Sequence, residues 1–214
     1  GEETTVAFIG GSITQGAGAA PINTECYAYK TFAGFCKLAG RGTEENISYI
    51  KAGVGGTPSE LGMLRFDRDV LRGGIQQPDI VVVEFAVNDE GDETQGDCYE
   101  SLVRKILKLP NNPAVILLFS VFADDYNLQE RLIPVGKRYE LPMVSVKNAV
   151  TPQFYDKENR ILSKNQYFYD TFHPTNLGHS IMADCLLSYI KRIMMESMTN
   201  DYKPDFEGKP AIGA

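Results

Sequence analysis

The features that mark metal, disulfide, membrane and nucleic-acid-binding proteins are scarce in this sequence of 214 residues. Histidine occurs twice and cysteine four times, without a C-x-x-C pair, so neither a zinc site nor a disulfide scaffold is expected. The net charge of −7 argues against binding to nucleic acids or anionic membranes, which requires clustered Lys and Arg. The longest apolar run, AVILLFSVFA over 114–123, is too short to span a bilayer and is typical of a buried strand.

The composition indicates one globular domain. Apolar residues make up 43% and charged residues 23% of the chain, which is usual for globular proteins. We expect the domain over 1–195, followed by a Pro- and Gly-rich tail or linker over 196–214. Free thiols fit a reducing compartment, so we expect a cytoplasmic location, with secretion as the alternative if a signal peptide preceded Gly1.

Short apolar, β-type runs alternate with helical patterns along the chain. Strands are predicted over 4–10, 47–53, 79–87, 114–122 and 142–146. Helices are predicted over 26–40, 59–71, 97–109, 128–140 and 174–198, with 147–173 irregular. Such alternation predicts a parallel sheet covered by helices on both faces, with ligands bound beyond the carboxyl ends of the strands.

The first predicted strand runs into a glycine-rich turn, GGSITQGAGA over 10–19. Gly11 and Gly16 have the spacing of a phosphate-binding loop, but Ala17 stands where that loop requires lysine. The dinucleotide-binding pattern G-x-G-x-x-G is also absent. Two interpretations of this stretch stay open: a tight turn whose glycines relieve backbone strain, or a strand end that exposes Ser12 as a nucleophile.

Three further segments carry residues that suit a nucleophilic serine. Asp170 precedes His173 by three residues, so its carboxylate can bond Nδ1 and leave Nε2 to take a proton from a serine. Asn88 ends a predicted buried strand, where its side chain serves either an oxyanion or only a turn. Gly56 follows the second strand and lets a substrate approach its backbone N–H. Together the segments predict an acyl-transfer site at one edge of the sheet.

These four segments resemble, in order, the sequence blocks of the SGNH hydrolases, also called the GDSL-type lipase and esterase superfamily. They are GGSIT with Ser12, GVGGT with Gly56, AVND with Asn88, and DTFHP with Asp170 and His173. The resemblance covers residues 4–195 and implies a three-layer α/β/α sandwich with a flavodoxin-like parallel sheet of five strands in the order 2-1-3-4-5. It also implies ester hydrolysis by a Ser12–Asp170–His173 triad without a metal or cofactor. The implied oxyanion hole comprises the N–H groups of Ser12 and Gly56 and the side chain of Asn88.

Two positions depart from the pattern of that superfamily. Its first block usually reads G-D-S, and Gly11 here replaces the aspartate, together with any hydrogen bonds it would make. Its third block usually has glycine where Ala86 stands. Gly55 remains an alternative to Gly56 as the oxyanion donor, although the spacing favours Gly56. The acidic stretch NDEGDETQGD over 88–97 does not match a calcium-binding loop and, beyond Asn88, is expected to be solvated.

We therefore expect a carboxylic ester hydrolase that acts on a short acyl ester, an O-acetyl group on a carbohydrate. The acetyl group is favoured because no long apolar loop or amphipathic lid is evident, and because GGSIT resembles the carbohydrate esterases of the superfamily. Two alternatives remain: a lysophospholipase or thioesterase for longer acyl chains, and a non-catalytic binding module on the same fold. We expect a small-molecule or carbohydrate ester as partner, and neither a nucleic acid nor a membrane; the sequence gives no oligomeric state.

Overall fold

A computed structural model describes residues 3–39, 46–197 and 212. Five strands form one sheet in which every neighbouring pair is parallel, in the order β2-β1-β3-β4-β5. The strands are β1 (Thr4–Gly10), β2 (Ile47–Gly53), β3 (Ile80–Glu84), β4 (Ala114–Phe119) and β5 (Met143–Ser145). The predicted fold class and strand order are therefore confirmed.

Helices connect the strands and cover the sheet. They are α1 (Ser12–Gln15), α2 (Ile22–Glu25), α3 (Tyr27–Ala39), α4 (Ser59–Asp69), α5 (Asp97–Leu107), α6 (Gln129–Arg138), α7 (Val146–Tyr155), α8 (Lys164–Tyr167) and α9 (Asn176–Ser197). β3 and β4 lie inside the sheet, and helices cover both of its faces. Their side chains are therefore buried on both faces, which explains why their sequences are almost continuously apolar.

Side chains that alternate along the strands divide the interior into two cores. Val6 and Phe8 of β1 pack with residues of α3, α7 and α9 on one face of the sheet. Ala7 and Ile9 of the same strand pack with residues of α4, α5 and α6 on the other face. The sheet is thus the middle of three layers, as expected.

The segment predicted to be irregular, 147–173, contains α7 and α8, so that prediction is wrong. Ser145 caps α7 by accepting a hydrogen bond from the Asn148 N–H at 3.1 Å. Val146, Val150 and Phe154 follow at intervals of four and are buried, which is the pattern of a helix packed on the sheet.

The structure also fixes three details of the elements. α6 continues through Pro134 and is not interrupted there. The N-cap of α4 is Pro58, and Ser59 lies inside the helix. β3 ends at Glu84, because the chain turns away from the sheet over 85–88.

The expected tail over 196–214 lies outside the described residues, except for the end of α9 and Ile212. Among the helices of the described ranges, none has the length and apolarity that crossing a membrane requires.

The fully buried His179 joins α9 to the segment that follows α1. Its Nε2 donates to the backbone oxygen of Ala17 at 3.0 Å, and its Nδ1 accepts from the backbone N–H of Tyr27 at 3.2 Å. Its ring is nearly parallel to the Tyr27 ring, with 6.3 Å between the centroids. This pairing requires the neutral imidazole, and burial lowers the pKa of His179 to about 4.

We predict that His179 makes the fold sensitive to acid. In the unfolded chain this histidine binds a proton at its ordinary pKa of 6.5, whereas in the folded chain it does so only near pH 4. Its contribution to stability is therefore complete above pH 6.5 and is lost as the pH falls to about 4. Urea unfolding of the wild-type protein and of His179→Gln should show a difference in free energy that shrinks on acidification, by up to about 3 kcal/mol. The carboxyl groups titrate in both proteins, so their contribution cancels in the difference between the two free energies of unfolding. A difference that is constant over this range would contradict the prediction.

Candidate active site

The carboxyl end of β1 turns into α1 without an intervening loop. Such a turn brings backbone and side chains together so closely that there is no room for a side chain at Gly10 or Gly11. A Cβ atom at Gly10 would lie 2.8 Å from the Cβ of Thr14. A Cβ atom at Gly11 would lie 2.6 Å from Cγ of Asn88 and 2.8 Å from its Nδ2. The two glycines therefore place Ser12 at the edge of the sheet, beside Asn88.

Ser12, His173 and Asp170 form a continuous chain of hydrogen bonds. The Oγ of Ser12 lies 3.0 Å from Nε2 of His173, although 161 residues separate them in sequence. The Nδ1 of His173 lies 2.9 Å and 3.1 Å from the two carboxylate oxygens of Asp170. The structure thus brings together the serine, imidazole and carboxylate that the sequence analysis singles out.

Asp170 is held in the orientation that suits a charged carboxylate. Its Oδ1 accepts hydrogen bonds from the backbone N–H groups of Phe172 and His173, both at 2.8 Å. Burial acts to raise the pKa of Asp170, but the bonds from the His173 ring and from these N–H groups outweigh it and lower the pKa below its usual range. The carboxylate is therefore charged at neutral pH and favours a proton on the facing Nδ1.

Three hydrogen-bond donors near the carboxyl ends of β1, β2 and β3 have no acceptor within the described ranges. They are the N–H groups of Ser12 and Gly56 and the Nδ2 of Asn88. The Oδ1 of Asn88 is buried and also lacks a partner. Most buried polar groups in proteins are paired, so an unpaired amide at the edge of the sheet calls for an explanation.

Gly55 and Gly56 differ in the availability of their N–H groups. The Gly55 N–H donates to the side-chain oxygen of Gln15 at 3.0 Å. Gly56 has a φ of +69°, a conformation that favours glycine, and its Cβ would meet nothing within 4 Å. The open position of Gly56 favours it over Gly55 as a donor to a ligand.

Gly11 stands where the superfamily usually has an aspartate, and the Asn88 amide occupies the space that an aspartate side chain would need. The local hydrogen bonds of such an aspartate therefore have no equivalent in this arrangement. Ala86, the second departure, is fully buried, and its backbone oxygen accepts from the Leu128 N–H at 2.7 Å. Neither departure removes a donor from the site.

The stretch after Asn88 is not the fully solvated loop that was expected. Asp89 is buried, and its Oδ1 accepts from the Ser59 N–H at 2.7 Å, which ties the loop containing Gly56 to the Asn88 turn. Burial raises the pKa of Asp89 to about 6. Asp92 is buried as well and accepts from the backbone N–H groups of Thr94 and Gly96.

Arg65, which the sequence analysis does not identify, fastens the ends of β1 and β2. Its guanidinium group is buried and donates to the backbone oxygens of Gly10 at 2.9 Å and Ala52 at 2.8 Å. Asp69, one helical turn later, accepts a further bond at 3.0 Å. A charged residue next to Phe66, on the apolar face of α4, was the available signal.

A second group that was missed, the carboxyl group of Glu84, lies buried beneath the Ser12 turn. It accepts hydrogen bonds from the hydroxyl groups of Ser120 and of Thr14, the latter at 3.1 Å. Thr14 also shares a hydrogen bond of 2.8 Å with the Tyr27 hydroxyl. Burial raises the pKa of Glu84 to about 7, although the two hydrogen bonds act to lower it. An acidic residue ending an apolar strand gave a weak signal for this network.

The described residues were also searched for side chains that could bind a metal ion together. Within the ranges 3–39 and 46–197, no group of three or more His, Cys, Asp or Glu side chains is arranged to hold a metal ion.

Two solved structures of one esterase are similar to this chain. They are described as a two-domain esterase active on acetylated mannans, alone and co-crystallised with mannopentaose. The first is 32% identical, with a TM-score of 0.87, and the match covers 99% of this chain and 54% of that one. The second is 32% identical, with a TM-score of 0.83, and covers 95% and 53%. This chain thus spans about half the length of that esterase.

Two further similarities are weaker, and the first of them supports the fold alone. An acetylxylan esterase from Geobacillus stearothermophilus is 20% identical, with a TM-score of 0.64, and the match covers 89% of this chain and 95% of that one. An uncharacterised protein from Rickettsia conorii is 31% identical over 71 residues, which are 33% of this chain and 58% of that protein.

The sequence profile described as the GDSL-like lipase/acylhydrolase family matches residues 8–181. This range contains Ser12, Gly56, Asn88, Asp170 and His173, the five residues on which the resemblance was based. The expected enzyme class, carboxylic ester hydrolase, is the class of that family. The chain belongs to the GDSL-like lipase/acylhydrolase family.

Proposed function

We propose that this protein is a serine esterase that removes a short acyl group, an O-acetyl group, from a carbohydrate. The hydrogen-bonded chain from Ser12 through His173 to Asp170 supports the proposal, because it ends on a serine hydroxyl group at the edge of the sheet that also carries three unpaired donors. Ser12 and His173 are only partly exposed, so a bound ester would displace most of the water around the reacting atoms.

In the first step, the Oγ of Ser12 attacks the carbonyl carbon of the ester. The Nε2 of His173, 3.0 Å away, accepts the proton of the hydroxyl group as the new C–O bond forms. The carboxylate of Asp170 holds the proton on Nδ1 and stabilises the imidazolium ion that results.

The carbonyl oxygen becomes negative as its π electrons move onto it. The N–H groups of Ser12 and Gly56 and the Nδ2 of Asn88 would donate to this oxyanion. Donors that are already oriented need no rearrangement when the charge develops, and so they lower the barrier more than they strengthen substrate binding.

The intermediate then expels the alcohol, whose oxygen takes the proton from Nε2 of His173. Water attacks the acyl-serine in a second round in which His173 again accepts and returns a proton, and the acid and the free Ser12 hydroxyl are released. Side chains and water supply every proton in this sequence.

The substrate assignment rests on similarity. The relative with 32% identity over nearly the whole of this chain is described as active on acetylated mannans, and one crystal of it contains mannopentaose. Because this chain matches only about half of that relative, the acetylated carbohydrate is a proposal for this protein.

Ser12→Ala should abolish hydrolysis without unfolding the protein, because Ser12 lies at the edge of the sheet and, within the described residues, its hydroxyl group bonds the His173 ring alone. The assay is a panel of acetylated manno- and xylo-oligosaccharides and p-nitrophenyl esters from acetyl to octanoyl. Ser101→Ala, an exposed position on α5, is the matched control and should keep full activity. Residual turnover by Ser12→Ala would refute the mechanism, and a preference for octanoyl esters would refute the acetyl assignment.

The value of kcat/KM should fall on the acidic side of the pH profile, because a protonated His173 cannot accept the Ser12 proton. Asp170→Asn should lower kcat by about 10²–10⁴, since an amide stabilises neither the correct tautomer nor the imidazolium ion. Asp184→Asn, exposed on α9, is the control and should change neither value. A kcat/KM that does not fall on acidification would exclude His173 as the base.

Asn88→Ala should lower kcat by about 10²–10³ with little change in KM, because the Nδ2 donor is needed chiefly in the transition state. Asn88→Asp should be at least as damaging, since it places a negative charge near the oxyanion. The free energy of unfolding should change little in Asn88→Ala, because the buried Oδ1 has no hydrogen bond to lose. A variant that keeps more than about a third of the wild-type kcat would show that Asn88 is only a turn residue.

A further inference from the structure

The mechanism leaves unused an exposed aromatic ring directly beside the proposed base. Phe172 precedes His173, and half of its surface, 50%, is open to solvent. Its ring packs edge-to-face against the His173 imidazole, with 6.2 Å between the centroids and an angle of 70°. The ring is therefore open to a ligand at a point directly next to the base.

The Phe172 ring is supported from behind by other aromatic residues. Phe122 packs against it edge-to-face at 5.0 Å, and Tyr126 in turn stacks on Phe122 at 5.9 Å. Phe122 and Tyr126 are themselves partly buried, so the exposed ring packs against side chains that are less open to solvent. Aromatic pairs in these geometries attract one another and restrict the orientation of each ring.

The loop that carries Phe122 is fastened to the loop that carries Phe172. The Ala123 N–H donates to the backbone oxygen of Thr171 at 3.0 Å. The Nζ of Lys164 donates to the Ala123 oxygen at 2.6 Å and pairs with Asp125 at 3.2 Å. The exposed ring therefore has a fixed position, so a ligand can contact it without first ordering the loop.

The mechanism determines which half of an ester lies next to this ring. The acyl oxygen must face Ser12, Gly56 and Asn88, whereas the alcohol oxygen must reach Nε2 of His173 to take its proton. A group bordering the His173 ring consequently faces the alcohol half of the substrate. For an acetylated carbohydrate, that half is the sugar.

We propose that Phe172 is a specificity-determining residue whose exposed ring binds a pyranose of the substrate's alcohol half. The C–H groups on one face of a pyranose carry partial positive charge, and they are attracted to the negative face of an aromatic ring while both apolar surfaces leave water. This inference rests on the proposed function, since it assigns the sugar to the alcohol side.

The test compares Phe172→Leu, which keeps an apolar side chain but has no ring, with Phe172→Tyr, which keeps the ring. The measured quantity is kcat/KM for the acetylated oligosaccharide that the wild-type protein hydrolyses fastest, divided by kcat/KM for ethyl acetate. Phe172→Leu should lower this ratio by about three- to tenfold, mainly through KM, and Phe172→Tyr should restore it. Ile75→Ala, an exposed apolar position that precedes β3 on the amino side of the sheet, is the control and should leave the ratio unchanged.

An unchanged ratio in Phe172→Leu would overturn the inference. So would a loss that follows the length of the acyl chain from ethyl acetate to ethyl octanoate, because the ring would then bind the acyl half.

A binding experiment separates this inference from the proposed function. Calorimetric titration of the Ser12→Ala protein with the deacetylated oligosaccharide requires no catalysis. Binding that weakens by about three- to tenfold in the Ser12→Ala/Phe172→Leu protein supports the ring even if no ester is hydrolysed. Absence of carbohydrate binding, together with absence of carbohydrate-ester hydrolysis, would overturn the inference.

Discussion

The site depends on the close approach of backbone to side chains at Gly10 and Gly11. Because neither residue has a Cβ, α1 begins directly after β1, Thr14 folds back against Gly10, and the Asn88 amide lies against Gly11. A side chain at Gly10 would overlap Thr14 and the backbone oxygen of Glu84 in β3, and one at Gly11 would displace the Asn88 amide. The serine and the amide are neighbours because the carboxyl ends of adjacent parallel strands meet at one edge of the sheet.

Buried charged and polar groups hold that edge in place at a cost in stability. Arg65 binds the strand-end oxygens of Gly10 and Ala52, while Glu84 accepts from the Thr14 hydroxyl group below the serine turn. Each group loses hydration on folding, and only its hydrogen bonds offset the loss. The buried Oδ1 of Asn88 has no such compensation. Functional sites commonly keep unpaired buried polar groups of this kind.

Apolar β-type runs predict the strands, because β1, β3 and β4 carry this local signal strongly. The strand order was implied by the resemblance in the four sequence blocks, which also contain the Ser12, Asp170 and His173 that the structure brings together. The helix α7 was missed because Pro152 and several polar residues hide its apolar stripe. The roles of Arg65 and Glu84 could not be predicted, since each depends on a partner that is distant in sequence and is brought close only by folding. The burial of Asp89 was missed for the same reason, because its partner, the Ser59 N–H, lies 30 residues away.

The central claim is that Ser12 is a nucleophile activated by His173. A fluorophosphonate reagent tests it most directly, because it forms a covalent bond only with an activated hydroxyl group and requires no knowledge of the natural substrate. Mass spectrometry of the intact protein followed by peptide mapping should show one adduct per chain, on Ser12, and no adduct in His173→Ala. An unmodified protein, or an adduct on another residue, would contradict the account.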